Sequence, residues 1–311
     1  MDLRTGGLIA LKKVMPKIEK EGFPITAVRE IKLLKRLHHS NIIRLLEVVY
    51  AKSKKTGEKG SVFMVFPFMK HDLVGTQDYR GNKFLMGEIK CIFHQLISGL
   101  KYMHMNGVIH RDLKLANLLI GEDGVLKIAD FGLARASSVG VDQTNKVVTR
   151  WYRSPELLLG ATRYDSCVDM WSAGTIFGEL VNGKPLFPGE SELHVLRYIF
   201  DLLGPPDISL LEQQYSSLMI PQVGRLRSSI EPCSFPKMPD SGLDILMAML
   251  QYNTADRATA EEIEGHHFFT DHPIAFKPAQ LKLCPAPRRE LQVKDRTDWR
   301  DSCQKRPRKK I

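Results

Sequence analysis

His110-Arg111-Asp112-Leu113-Lys114-Leu115-Ala116-Asn117 is the stretch on which the reading of this chain turns. It places a carboxylate, an ammonium and an amide oxygen within six residues, on a segment too polar for a core strand. A carboxylate at Asp112 can accept or orient a hydroxyl proton. Lys114 can neutralise developing negative charge, and the amide of Asn117 can hold a metal ion. The spacing thus suits a site that positions groups and screens charge rather than one that forms covalent intermediates.

Working outward, Asp130-Phe131-Gly132 follows Asp112 by 18 residues and comes after the strand-like run Val125–Ala129. Further on stands Ser154-Pro155-Glu156, for which Arg257 is the expected buried partner. Upstream, Ile9-Ala10-Leu11-Lys12 lies within a short apolar run, Leu8–Val14. Glu30 lies 18 residues beyond Lys12, in a stretch from Pro24 to Leu37 with apolar positions at helical spacing. Ile42–Tyr50 and Val62–Phe66 read as β-rich runs with a polar turn over Lys52–Gly60. After Phe68 the texture becomes helical: Gly87–Asn106, Asp165–Val181, Ser191–Leu203, Ser241–Leu250 and Ala258–Glu264 carry the pattern.

The predicted fold is α+β with two lobes: a small β-rich lobe over 1–67, a larger helical lobe over 68–272, and a basic, disordered tail over 273–311. Phe66-Pro67-Phe68-Met69 links the lobes, and the cleft between them is the expected ligand site.

Composition narrows the alternatives. The 311 residues, 43% hydrophobic and 26% charged, suit an ordinary globular protein. No apolar run reaches the roughly 18 residues of a membrane-spanning helix, and no signal peptide is expected from the polar opening Met1–Gly7. Five scattered cysteines without a C-x-x-C pair argue against a disulfide framework or a zinc site. The net charge of +10 is concentrated at the end, where Pro285–Ile311 carries a surplus of +6. No nucleic-acid-binding motif accompanies it.

Taken together, H-R-D-L-x-x-x-N, D-F-G, the A-P-E position with Ser for Ala, and V-A-I-K in the form Ile9–Lys12 resemble the eukaryotic protein kinases over nearly all of residues 3–270. Pro24-Ile25-Thr26-Ala27-Val28-Arg29-Glu30 is similar to the PSTAIRE-type helix of cyclin-dependent kinases. That helix, with Val65–Leu73 and Val147–Arg153, resembles the transcriptional branch, nearest to the catalytic subunit of positive transcription elongation factor b.

The resemblance implies ATP and Mg²⁺ as cofactors. It implies Asp112, Lys114 and Asn117 as catalytic residues, and Asn117 and Asp130 as metal ligands. ATP would meet Lys12, its partner Glu30, the gatekeeper Phe66, hinge backbone at Pro67 and Met69, and Asp72 at the ribose. Thr144 occupies the place of an activating threonine whose phosphate would gather Arg29, Arg111 and Arg135. Val147 and Arg153 match positions shaping a proline-selecting pocket, and Asp169 a structural anchor. The implied partners are a cyclin, a kinase that modifies Thr144, and protein substrates with Ser/Thr-Pro sites such as the RNA polymerase II C-terminal domain. No membrane partner is implied. The run Lys305-Arg306-Pro307-Arg308-Lys309-Lys310 reads as a nuclear address.

One departure stands out. Only eleven residues precede Lys12, and they hold Gly6-Gly7 but no G-x-G-x-x-G. Either an upstream segment belongs to the protein or the loop is missing; the other motifs, all intact, favour the first. A mitogen-activated kinase is disfavoured because Thr144-Asn145-Lys146 lacks the T-x-Y tyrosine. A catalytically impaired cyclin-binding pseudokinase is the alternative from another class.

Overall fold

In the computed structural model, which describes residues 6–14, 24–52, 60–136, 150–206 and 235–283, the alternating apolar runs pair as a three-stranded antiparallel sheet. β1 (Ile9–Lys13) and β2 (Glu47–Ala51) flank β3 (Ser61–Pro67). The register sets Lys12 opposite Met64 and Ala10 opposite Phe66. Against it lies α1 (Ile25–Arg36), which buries Ala27, Glu30, Leu33 and Leu34, one face of a 3.6-residue helix. Pro24 sits just before the helix as its N-cap, with extended backbone.

The β-run expected over Ile42–Tyr50 splits in two. Only Glu47–Ala51 joins the sheet. Ile42 bridges Ile128 in parallel, Ile43 donates its N–H to the Ile128 carbonyl at 2.9 Å, and Ile128 donates to Asn41 at 2.8 Å. The physical reason is burial: Ile42 and Ile43, 2% and 3% exposed, are drawn into the large lobe's core and cannot also follow the sheet.

The large lobe is built on α3 (Met86–Met105) and α5 (Cys167–Asn182). α3 buries Ile89, Ile92, Phe93, Leu96, Ile97 and Leu100, and α5 is buried along almost its whole length. Burial of this apolar surface is the main stabilising term. Two short helices had no clear periodic signal: α2 (Leu73–Tyr79) and α4 (Pro155–Leu158). α6 (Glu192–Leu203) is capped by Ser191, whose hydroxyl accepts the His194 N–H. α7 (Asp240–Met249) and α8 (Ala260–Glu264) close the base, the latter through a Thr259/Glu262 capping box.

On the face toward the sheet, β4 (His71–Asp72), β6 (Leu118–Ile120) and β7 (Leu126–Ile128) form one small sheet; β5 (Val108–Ile109) and β8 (Arg135–Ala136) form another.

The tail expected from 273 begins differently from the prediction. Residues 273–283 pack on the large lobe as a strap. Phe276 donates its N–H to the Gly87 carbonyl at 2.8 Å, and Leu281 and Leu283 lie against the core. The buried Lys90 donates to the Asp271 carbonyl at 2.7 Å and lies 4.7 Å from the Phe268 ring centre. At Gly124, φ is +77° and the Pro278 carbonyl fills the space of a side chain. Irregular spacing hid this strap: its apolar residues, Ile274, Phe276, Leu281 and Leu283, are separated by prolines and lysines and follow neither helical nor strand periodicity, and its backbone bonds leave no sequence trace.

Candidate active site

The β6–β7 hairpin sets two functional groups at its base. Asn117 immediately precedes β6, and Asp130 follows β7 by two residues. Asn117 donates through Nδ2 to the Asp112 carbonyl at 2.8 Å and to Asp112 Oδ2 at 3.3 Å. Lys114 Nζ stands 2.6 Å from Asp112 Oδ2. Asp112, Lys114 and Asn117 are therefore one cluster, as their spacing suggested.

The loop that bears them is fixed from below. Asp169, fully buried on α5, accepts the backbone N–H groups of His110 and Arg111, both at 2.8 Å, and contacts His104 Nε2 at 3.0 Å. Burial alone would raise its pKa, but the bonds from His104 and His110 hold the carboxyl below its ordinary range. These bonds let Arg111 adopt φ +71°, a conformation that L-residues enter only when the surroundings demand it. His110 bonds the Ala129 carbonyl through Nε2 at 3.0 Å and meets the Phe131 ring edge-on at 5.1 Å. Asp130, also left-handed at φ +65°, is aimed by these contacts.

From the small lobe, Lys12 Nζ stands 2.8 Å from Glu30 Oε1 and 2.8 Å from Asp130 Oδ1. Burial would lower the Lys12 pKa, but Asp130 and Glu30 outweigh it and raise it. In return Lys12 overcomes the burial of Asp130 and holds that carboxyl below its usual range. One ammonium thus joins β1, α1 and the end of β7.

A cavity of about 880 Å³ opens beside this bridge. Ala10, Lys12, Phe66, Met69, Leu119, Ala129 and Asp130 line it, apolar walls with charge at one end. Phe66, Pro67 and Met69 are among the lining residues, and Pro67 offers only a carbonyl, having no N–H. Asp72, expected at the ribose, stands at the end of β4 beside the cavity. It is 3% exposed and caps α2, its Oδ1 accepting the Gly75 N–H at 2.7 Å, while His71 lines the cavity. Burial is the main reason that His71 has a lowered pKa, which favours a neutral ring. Sequence reading missed His71 because a histidine beside a helix cap carries no pattern of its own.

The donor set of Asn117 and Asp130, an amide oxygen and a carboxylate, suits a hard divalent ion such as Mg²⁺.

Arg135 feels like charge from Arg29 and Arg111; burial first, then these two guanidiniums, lower its pKa. Three arginines from α1, the catalytic loop and β8 therefore share one region. Thr144 and Val147 lie outside the described residues. Arg153, 7% exposed, lies within 3.5 Å of Glu192 and within electrostatic reach of Asp112. Glu156 and Arg257 form the expected pair, at 2.7 and 3.1 Å.

A family model described as the protein kinase domain matches residues 1–269. The chain belongs to the protein kinase family. Cyclin-dependent kinase C-2 from Oryza sativa subsp. japonica is 44% identical over 297 residues, covering 90% of this chain and 57% of the relative. CTD kinase subunit alpha from Schizosaccharomyces pombe is 42% identical over 283 residues, covering 89% and 46%. A chain from the crystal structure of the yeast RNA Pol II CTD kinase CTDK-1 complex superposes with a TM-score of 0.80 at 35% identity, covering 89% of this chain and 90% of the other. This kinase chain spans about half the length of the curated relatives it matches. The two-lobed kinase fold and the transcriptional cyclin-dependent branch are thus where the motifs pointed.

Proposed function

We propose that this chain is the catalytic part of a cyclin-dependent serine/threonine kinase. In this reading it transfers the γ-phosphate of ATP to Ser/Thr-Pro sites, including the RNA polymerase II C-terminal domain. The observation that carries this is Lys12 held at 2.8 Å by both Glu30 and Asp130. In that arrangement the phosphate-binding ammonium and the metal-binding carboxylate face one cavity. The printed names of the relatives, cyclin-dependent kinases and a CTD kinase subunit, support the substrate class. The non-catalytic alternative draws nothing from them.

The residues divide the work as follows. Phe66, Met69 and Ala10 enclose the adenine in an apolar slot, with hinge backbone groups orienting it. Lys12 holds the α- and β-phosphates. Asp112 receives or orients the proton of the substrate hydroxyl as the oxygen attacks phosphorus. Lys114, at 2.6 Å from Asp112, screens charge on the transferred group. Bound Mg²⁺, held by Asn117 and Asp130, would neutralise the phosphate oxygens.

Control enters through α1, which carries both Glu30 and Arg29. A cyclin pressing on α1 would set the Lys12–Glu30 pair and one third of the arginine cluster together. A phosphate on Thr144, added by an activating kinase, would gather Arg29, Arg111 and Arg135. In this reading 1–67 and 68–272 are the two lobes, and 305–310 directs the protein to the nucleus.

The test is phosphate transfer from ATP to a Ser-Pro peptide by the chain co-purified with a cyclin. Mg²⁺- and cyclin-dependent transfer that Asp130→Asn abolishes is the expected result. Undiminished transfer by Asp130→Asn would sink the assignment.

A further inference from the structure

The segment 150–153 is gripped from below by one turn of chain. Trp151 donates its indole N–H to the Gly189 carbonyl at 3.0 Å. Three residues on, Glu192 opens α6, where the helix dipole favours an acidic side chain and the Ser191 cap fixes the backbone. Its carboxylate Oε1 stands 3.5 Å from Arg153 Nη1 and 3.8 Å from Arg150 Nε. The Arg153 side chain is only 8% exposed, and Glu192 is one of the groups it meets. Glu192 is half exposed, so it sits at the rim with one side toward solvent and the other toward the arginines. Arg153 in turn lies within electrostatic reach of Asp112. A line of charge therefore runs from Glu192 on α6 through Arg153 toward Asp112.

We propose that Glu192 is a positioning residue for substrate selection: by holding Arg153 and Arg150 from the start of α6, it sets the surface that meets the residue following the phosphoacceptor. This rests on the kinase reading above. It assigns a role to a side chain that none of the catalytic motifs contains. It also bears on the proposed selection of a conformationally restricted proline. The restricted ring needs a wall held at fixed distance, and an ion pair anchored to a helix terminus supplies one.

The experiment compares wild type, Glu192→Gln and Glu192→Asp, each as the full chain with its cyclin. It measures kcat and KM for a Ser-Pro peptide, a matched Ser-Ala peptide and ATP. Glu192→Gln should raise KM for the Ser-Pro peptide about threefold to fivefold, the scale of one part-exposed ion pair. Its kcat and KM for ATP should stay within about twofold of wild type. The preference for Ser-Pro over Ser-Ala should narrow, and Glu192→Asp should recover part of it. Trp151→Phe, which deletes the bond to Gly189 without altering charge, should narrow the same preference. An unchanged Pro/Ala ratio in both Glu192→Gln and Trp151→Phe overturns the inference, as does an equal loss on both peptides and ATP. If wild type with cyclin phosphorylates neither peptide, the kinase reading itself fails and takes this role with it.

Discussion

Arg257 and Glu156 meet through two hydrogen bonds, 2.7 and 3.1 Å long, across 101 residues of chain, with both side chains essentially sealed from water. Arg257 also donates to the Cys167 carbonyl at 3.0 Å and lies 5.1 Å from the Trp171 ring centre. Deleting one member of such a pair leaves a buried charge without compensation. Arg257→Ala should cost about 3–5 kcal/mol and lower the Tm accordingly. A Glu156→Gln/Arg257→Met double variant should lose less than the sum of the two single variants. Additive losses in a thermal-melt cycle would show that the two side chains act independently.

Ser154, beside Glu156, is fully buried, and its hydroxyl has no hydrogen-bond partner among the described residues. Ser154→Ala should therefore stabilise the protein by about 1 kcal/mol, because a desolvated hydroxyl is removed with little change of volume. A lowered Tm would contradict this.

If the proposed kinase reading holds, Lys12→Met and Asp130→Asn should each reduce kcat/KM by about 10²-fold or more, the first by removing the charge proposed to hold the phosphates and the second by removing a proposed metal ligand. They should differ in kind: Asp130→Asn should weaken the response to Mg²⁺ concentration, while Lys12→Met should leave that response intact. A Mg²⁺ titration of each variant separates them, and matching titration curves would argue against distinct roles.

Glu179 on α5 makes a pH prediction. Burial, aided by Asp78 and opposed by a bond from Tyr152, pushes its carboxyl up to about 7. Between the ordinary carboxylate range and about 7, the folded protein keeps a proton that the unfolded chain releases. Stability contributed by this neutral group is therefore present in acid and lost as pH rises through that window. Glu179→Gln, which keeps an acceptor for Tyr152, should remove the slope. Its Tm should gain on wild type steadily from about pH 5 to pH 8 in calorimetry, and parallel curves would refute the assignment.

Gly124 tests the strap. Its φ of +77° and the Pro278 carbonyl both exclude a side chain. Gly124→Ala should cost about 1–3 kcal/mol. Because its hairpin positions Asn117 and Asp130, the loss should extend to kcat. A stable, fully active Gly124→Ala enzyme would detach the strap from the site.

What could be read in advance follows a physical divide. Lys12, Glu30, Asp112, Asn117 and Asp130 were legible because chemistry restricts residue type at each position and the backbone fixes the spacing. α3 was legible because its apolar stripe recurs over 20 residues. Glu192, the Glu179–Tyr152 contact and the strap were not. Each depends on which groups, side chain or backbone, meet across a long separation, and no local periodicity encodes that. Ile42 misled for the opposite reason: its β-branched character signals burial on a sheet, and burial came from the other lobe.

The strap at Pro278 has a consequence for how the protein is made. The hairpin that carries Asn117 and Asp130 emerges from the ribosome well before residues 273–283 exist, yet one of its turns, at Gly124, is shaped to lie under them. During synthesis the two lobes can gather while that turn stays exposed. The newborn chain then holds an almost finished site whose last support is still being translated, an interval in which an incomplete core is open to chaperones and proteases. A stop shortly before residue 273 would extend that interval indefinitely.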